Sequence, residues 1–497
     1  MNPLRFAVLG SLLLAACAAP PPAAIAPAVP ASTEPVAPAA PDPEAFRNAP
    51  PKPGAHPAVE FPTPLQKTLK NGVTLFVLPK QSAVATLSVV VRHGASSVPL
   101  GKSGLAALTV RMLTEATQRY SSLALAEATE SLGSSLEEDA GRDESHVSLS
   151  TLTADVPRGL DLLSQVVFSP RFDSADFARV KDEWLDGLRA ERQEPARLAS
   201  LAALRTLLGP LAGAPVSGSI PDVEKLTVAD LVAFHRRAYV PSNLAVIAVG
   251  NLTLAQLEPD VERLFGRQSG PAFPPPSAPV VPEPPSKLRV LLVDRKDSVQ
   301  SAIFAVQPFP KRSEPGFEAR DLLGTLLGGL FTSRLNLNLR EKHAYTYGVH
   351  GQTLATRQWG AFFVATDVKT ETTGDSLFEI LAELDRAHDA THGVPIQDQE
   401  TARARADLIH SLGARLEHTG SMADAMRSAF AEQLAPDYYG KYPALIAGIP
   451  TSEVAEQAKR LEPRRLLVVI VGDRAQIQPS LQQHGYEVEL ADPQLTE

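Results

Sequence analysis

The stretches Pro241 to Gly250 and Pro463 to Gly472 are written to one plan. Each opens on proline, runs through unbroken apolar residues and stops at a glycine nine positions later: Leu244-Ala245-Val246-Ile247-Ala248-Val249 in one, Leu466-Leu467-Val468-Val469-Ile470-Val471 in the other. Each follows a helical pattern opened by threonine, at Thr227 (Thr227-Val228-Ala229-Asp230, with an acidic residue three positions on) and at Thr451. A duplicated domain explains the shared ending. Between the copies, Gly270 to Ser286 carries prolines at 271, 274, 275, 276, 279, 282, 284 and 285, which excludes a regular helix or a central strand. The chain therefore divides into a domain over 58–269, a linker over 270–286 and a second domain over 287–490. Strands mixed with long helices predict an α/β fold, layered in the α+β manner, each half a mixed sheet with helices on one face.

Local signals fill in the halves. Asn71-Gly72 supplies a turn ahead of the alternating strand Val73 to Val77, and Thr86 to His93 reads as a second strand. Ser103 to Ala116 has Leu105, Leu108, Met112 and Leu113 at helical spacing, and further helices are predicted at Leu123 to Leu132, Val156 to Val167 and Phe177 to Gln193. In the second half, Leu288 to Val293 and Phe362 to Val368 read as strands, and Phe317 to Leu330 as a helix.

The first 17 residues read as a leader: Arg5, an apolar stretch from Phe6 to Ala16, then Leu14-Ala15-Ala16-Cys17. Leu-Ala-Ala-Cys resembles the bacterial lipoprotein cleavage box, which implies that Cys17 is acylated and that the protein is held at a bacterial envelope membrane. Ala18 points to the outer membrane, facing the periplasm. Residues 18–57, rich in Pro and Ala, are expected to act as a tether. Cys17 is the only cysteine, which excludes an intramolecular disulfide and a cysteine-based metal site. With 47 Lys plus Arg against 56 Asp plus Glu and no long basic run, nucleic acid is excluded as an expected partner.

One stretch stands out chemically, Leu335 to Gly348. It reads as helix, tight connection and strand, with Arg340 near the helix end and Tyr347 at the strand start. A guanidinium and a phenol placed there can converge on one oxyanion or peptide carbonyl. The same residues also suit a helix-dipole cation and a packed strand tyrosine.

Taken together, the segments resemble the insulinase/pitrilysin family of zinc peptidases, which includes mitochondrial processing peptidase and the respiratory-complex core proteins. The resemblance rests on Asn71-Gly72-Val73-Thr74, Ser103-Gly104-Leu105-Ala106, Phe234 to Asn243, Arg334-Leu335, Leu339-Arg340-Glu341 and Tyr345-Thr346-Tyr347-Gly348. It implies half of a clam-like chamber in which Arg340 and Tyr347 contact substrate beside a zinc held elsewhere. Tyr345 is the alternative phenol. Active members carry H-x-x-E-H directly after the Gly-Leu-Ala start, two histidines holding zinc and the glutamate acting as base. Here the motif positions hold Ala107, Val110 and Arg111. None of the three is a ligand, so this chain is expected to bind no metal and zinc is expected in a partner. Glu183 and Glu191 fall in the region of the family's third ligand but read as a solvated helix face. Glu115 reads as the surface ion-pair partner of Arg111, Asp143 and Glu144 beside His146 as the polar start of a strand. His235 and His343 lack a triad context. The implied role is the zinc-less subunit of a heterodimeric peptidase, paired with a homologous H-x-x-E-H chain and acting on peptide or unfolded protein. The alternative is a non-catalytic peptide-binding or envelope-assembly protein.

Overall fold

The computed structural model describes residues 61–271, 273, 283–389 and 391–491. Cys17, the leader of 1–17, the tether of 18–57 and most of the 270–286 linker lie outside the described residues.

Among the described residues the first half supplies strands β1 (Leu65–Thr68), β2 (Thr74–Pro79), β3 (Val84–Val91), β4 (Glu137–Ala140), β5 (Ser145–Leu152) and β6 (Leu244–Gly250). Its helices are α1 (Leu105–Leu113), α2 (Ser122–Glu130), α3 (Val156–Phe168), α4 (Ser174–Glu191), α5 (Pro195–Ala212), α6 (Ile220–Lys225), α7 (Val228–Ala238) and α8 (Leu254–Leu264). The second half supplies β7 (Arg289–Asp294), β8 (Gln300–Phe309), β9 (Thr346–Ala355), β10 (Gly360–Lys369), β11 (Leu467–Gly472) and β12 (Val488–Leu490). Its helices are α9 (Phe317–Gly324), α10 (Thr373–His388), α11 (Asp398–Arg415), α12 (Thr419–Ala431), α13 (Tyr438–Gly448), α14 (Thr451–Ala458) and α15 (Arg474–Gln483).

The repeat is visible in the strand order. One sheet runs β1-β2-β6-β3-β5-β4 and the other β12-β7-β11-β8-β10-β9. In each, the strand ending in Gly250 or Gly472 pairs parallel to one neighbour, β2 or β7, and antiparallel to the other, β3 or β8. By that correspondence β4 and β9 are equivalent edge strands.

Each sheet carries helices of its own half on one face. The opposite face is covered by a helix from the other half. Along β6, Leu244, Val246 and Ala248 join the first-half core, while Ala245, Ile247 and Val249 pack with Met422, Ala423, Met426 and Phe430 of α12. Along β11, Val468 and Ile470, with Leu466 just before it, face the second-half core, while Leu467, Val469 and Val471 pack with Ala199, Ala202, Ala203, Leu207 and Leu208 of α5. That arrangement accounts for the unbroken apolar runs, because a strand buried on both faces has no polar side to alternate. Burying one such Val, Leu or Ile contributes about 1.5–3 kcal/mol, so the exchanged helices are a large part of the stability.

The two threonines differ. Thr227 forms a capping box with Asp230, as its spacing predicts. Thr451 is the first residue of α14 behind Pro450, and its hydroxyl donates to Asp398 Oδ1 at 2.5 Å. Its cap role is corrected: it ties α14 to α11.

Candidate functional site

Two places, each beside an edge strand of its sheet, hold the candidate residues. In the second half α9 does not continue to Leu330 as a regular helix but widens into a π-turn over Thr325–Gly329, and a second π-helical segment spans Asn336–Lys342. Leu335 and Leu339 anchor that segment in the core. Arg334, beside them, is buried and structural. Its guanidinium donates to Glu400 in bidentate fashion at 2.8 and 2.7 Å and to the carbonyls of Val394 and Pro395. Ala344 then takes a left-handed turn at φ +54° and delivers the chain to β9.

A bulge sits at the start of β9. Thr366 of β10 faces Val349 while Val368 faces Thr346, so Asp367 alone stands opposite Tyr347 and Gly348. An extra residue on one strand re-aims side chains, and Tyr347 emerges 92% exposed. The bulge is pinned from behind. The Thr366 hydroxyl donates to the Gly348 carbonyl at 2.9 Å, and the Gly348 N–H donates to the Thr346 hydroxyl at 3.1 Å.

Arg340 and Tyr347 line one cavity of about 610 Å³, with Phe331, Asp367 and Ala196 of α5 also in its wall. The Arg340 guanidinium lies over the Phe331 ring at 3.7 Å, and Glu341 approaches it only to 3.7 Å. A cation held by an aromatic face and a loose carboxylate keeps donors for a further acceptor. Burial and the nearby Glu194 raise the Asp367 carboxyl above the usual range, while His350 opposes them. Tyr345, the alternative phenol, stacks on His343 at 4.9 Å and does not line this cavity.

The place beside β4 in the first half is closed. Ala107 and Val110 of α1 are buried without a donor atom. Arg111 pairs with Glu115 at 2.6 Å and approaches Glu138 of the edge strand β4 to 3.6 Å. From α4, Arg179 also binds Glu115, and pairs with Glu183 at 3.0 Å. Glu115 is therefore not a surface partner of Arg111. It is 6% exposed and bridges two arginines. With two apolar side chains and two fixed cations here, the motif positions do not fit a divalent metal.

The other sequence candidates are absorbed by the fold. His235 Nε2 lies 2.7 Å from the Val167 carbonyl and its ring stacks on Tyr239; burial lowers its pKa. Glu191 pairs with Arg197 at 3.1 Å. Asp143 is more than the polar start of a strand. It is buried, accepts from the Arg357 N–H at 2.9 Å and so ties the β9–β10 turn to the first half. Asn336, which also lines the cavity, carries no sequence motif; its partners are the Val349 backbone on β9, the Leu330 carbonyl and the Ser333 hydroxyl.

Known proteins match this chain in both halves. Residues 75–209 match the family model "Insulinase (Peptidase family M16)" and residues 225–408 match "Peptidase M16 inactive domain", together well over half of the chain. The chain belongs to the insulinase (M16) family. An uncharacterized zinc protease of Streptomyces coelicolor is 25% identical over 397 residues, covering 78% of this chain and 84% of that protein. One of Mycobacterium tuberculosis is 29% identical over 309 residues, covering 61% and 69%. The crystal structure of a peptidase M16 inactive domain from Pseudomonas fluorescens superposes with a TM-score of 0.75 at 23% identity, over 82% of this chain and 98% of that one. The expected family and two-domain α/β fold thus stand.

Proposed function

We propose that this chain is the zinc-less subunit of a two-chain M16 peptidase, supplying Arg340 and Tyr347 to a site whose metal belongs to a homologous H-x-x-E-H partner. The carrying observation is the contrast between the two edge-strand corners. The metal-motif positions are filled by Ala107, Val110 and a fully engaged Arg111, while Arg340 and Tyr347 stay open on a shared cavity. In this reading the Arg340 N–H groups and the Tyr347 O–H donate to a peptide carbonyl of the substrate, positioning it and stabilising negative charge as it develops on that oxygen. Water activation is the partner's task. The substrate is a peptide or unfolded protein, and acylated Cys17 holds the pair at the envelope membrane.

The test starts from the tethered protein isolated in mild detergent together with what co-purifies. An H-x-x-E-H homologue with chelator-sensitive peptide cleavage is expected. Arg340→Ala should lower turnover of that complex by roughly 10²–10³, the usual cost of one oxyanion donor. Wild-type turnover in the variant overturns the proposal. A stable complex without cleavage moves the assignment to a peptide-binding or assembly role.

A further inference from the structure

The cavity wall contains a buried amide whose hydrogen bonds are all internal, Asn336. Its Oδ1 accepts from the Val349 N–H at 2.9 Å, and its Nδ2 donates to the Val349 carbonyl at 2.9 Å. The same Nδ2 reaches the Leu330 carbonyl at 3.0 Å and the Ser333 hydroxyl at 3.1 Å. Turning the amide over would set its oxygen against two carbonyls and its NH₂ against an N–H, so the surroundings allow one orientation.

The two bonds to Val349 have the form of a strand ladder. Strand β9 is the edge of its sheet, and Val349 turns its N–H and C=O outward, to Asn336. Asn336 thus stands where a neighbouring strand would stand. It lies four residues before Arg340 in the π-helical segment, and Val349 lies two residues after Tyr347, next to the bulge. One side chain therefore joins the segment that carries Arg340, the strand that carries Tyr347 and, through Leu330, the loop that carries Phe331 under the guanidinium.

We infer that Asn336 is the positioning residue of the Arg340–Tyr347 pair, fixing the spacing at which guanidinium and phenol meet one carbonyl. This rests on the peptidase reading above. Misplacing a contact by an ångström can cost about 10²-fold in rate without any contact of the altered residue to substrate.

The experiment is a double-mutant cycle in the isolated complex, with kcat and KM measured on one peptide and folding followed by circular dichroism. Asn336→Ala should lower kcat by roughly 10- to 100-fold with KM changed much less. In the Arg340→Ala background, Asn336→Ala should cost much less than it does in the wild type, because only Tyr347 is left to position. Asn336→Asp keeps the volume and the acceptor for Val349 but faces two carbonyls with a carboxylate. It carries the same test where the alanine variant does not accumulate. A folded Asn336 variant with wild-type kcat, while Arg340→Ala is slow, overturns this inference alone. Multiplying losses in the double variant also overturn it, since they mark general destabilisation. Wild-type kcat in Arg340→Ala overturns the peptidase reading and this inference with it.

Discussion

The α1–β4 corner of the first half and the Asn336–β9 corner of the second each lie beside an edge strand of their sheet, and they treat charge in opposite ways. At the first, Arg111, Arg179 and Glu115 satisfy one another, with Glu138 and Glu183 close by, and the motif helix is packed shut. At the second, Arg340 lies on an aromatic ring with one carboxylate, Glu341, at 3.7 Å, and Tyr347 projects from a bulge. Polar groups that satisfy each other hold a fold together. Polar groups held in place but left unsatisfied are available to a ligand. The comparison teaches that one corner uses its charges to hold the fold while the other keeps donors free for a further acceptor.

The largest expected effect tests the open corner. Arg340→Ala, slowing the complex by roughly 10²–10³, corresponds to about 3–4 kcal/mol of barrier. The same substitution should leave chemical denaturation of this chain within about 0.5 kcal/mol of wild type, as at surface positions generally. A comparable loss of stability would make Arg340 a structural residue like Arg334 and break the contrast.

Next comes an interior site where three arginines surround one histidine. His93 is buried beside Arg92, Arg237 and Arg357, with its Nδ1 2.7 Å from the Ser97 hydroxyl. Burial first, and those cations second, push its pKa down to about 4. The folded state therefore holds His93 neutral, and the unfolded chain binds more protons below about pH 6.5. Its contribution is present above that pH and is lost as pH falls towards 4, by up to about 3 kcal/mol. Denaturation curves across this window should be steeper in pH for the wild type than for His93→Gln. Equal slopes would show that the internal cations do not hold this ring neutral.

These sites differ in how far they could be read in advance. The halves, the β2, β3, β6 and β11 strands and the Arg340–Tyr347 pair were legible, because they rest on turns, periodicity and short spacings. The exchange of α5 and α12 was not deduced, although the unbroken runs at Leu244–Val249 and Leu466–Val471 carried the signal that both faces are covered. The burial of Glu115 and the anchoring by Asn336 left none. Arg179 lies on a different helix, and the bond to Val349 joins a side chain to another strand's backbone. Thr451 shows the reverse: a threonine at a helix start predicts a cap, but its hydroxyl serves another helix.

The closed corner gives the next effect. Glu115→Gln leaves Arg111 and Arg179 facing a neutral amide, and Glu138, 3.6 Å from Arg111, can replace only part of the lost charge. Burial raises the Glu138 pKa, with Arg111 opposing, so that carboxylate is itself partly desolvated. The expected cost is about 1–3 kcal/mol in chemical denaturation, between an exposed pair and a fully buried one. Turnover of the complex should be unchanged, because this corner is assigned no part in substrate binding. Lost turnover with retained stability would place the closed corner in the chemistry and end the contrast.

The smallest effect is the sharpest test of what the bulge is for. Tyr347→Ala removes a side chain that is 92% exposed, so it should move stability by no more than about 0.5 kcal/mol. A phenol kept for packing would cost several times that, because burying an aromatic ring is among the larger single contributions to a core. Turnover of the complex should nevertheless fall, and Tyr347→Phe, which keeps the ring and removes the O–H donor, should fall nearly as far. If Tyr347→Phe instead retains wild-type turnover, the ring and not the hydroxyl is what the bulge presents, and Arg340 alone would donate to the carbonyl.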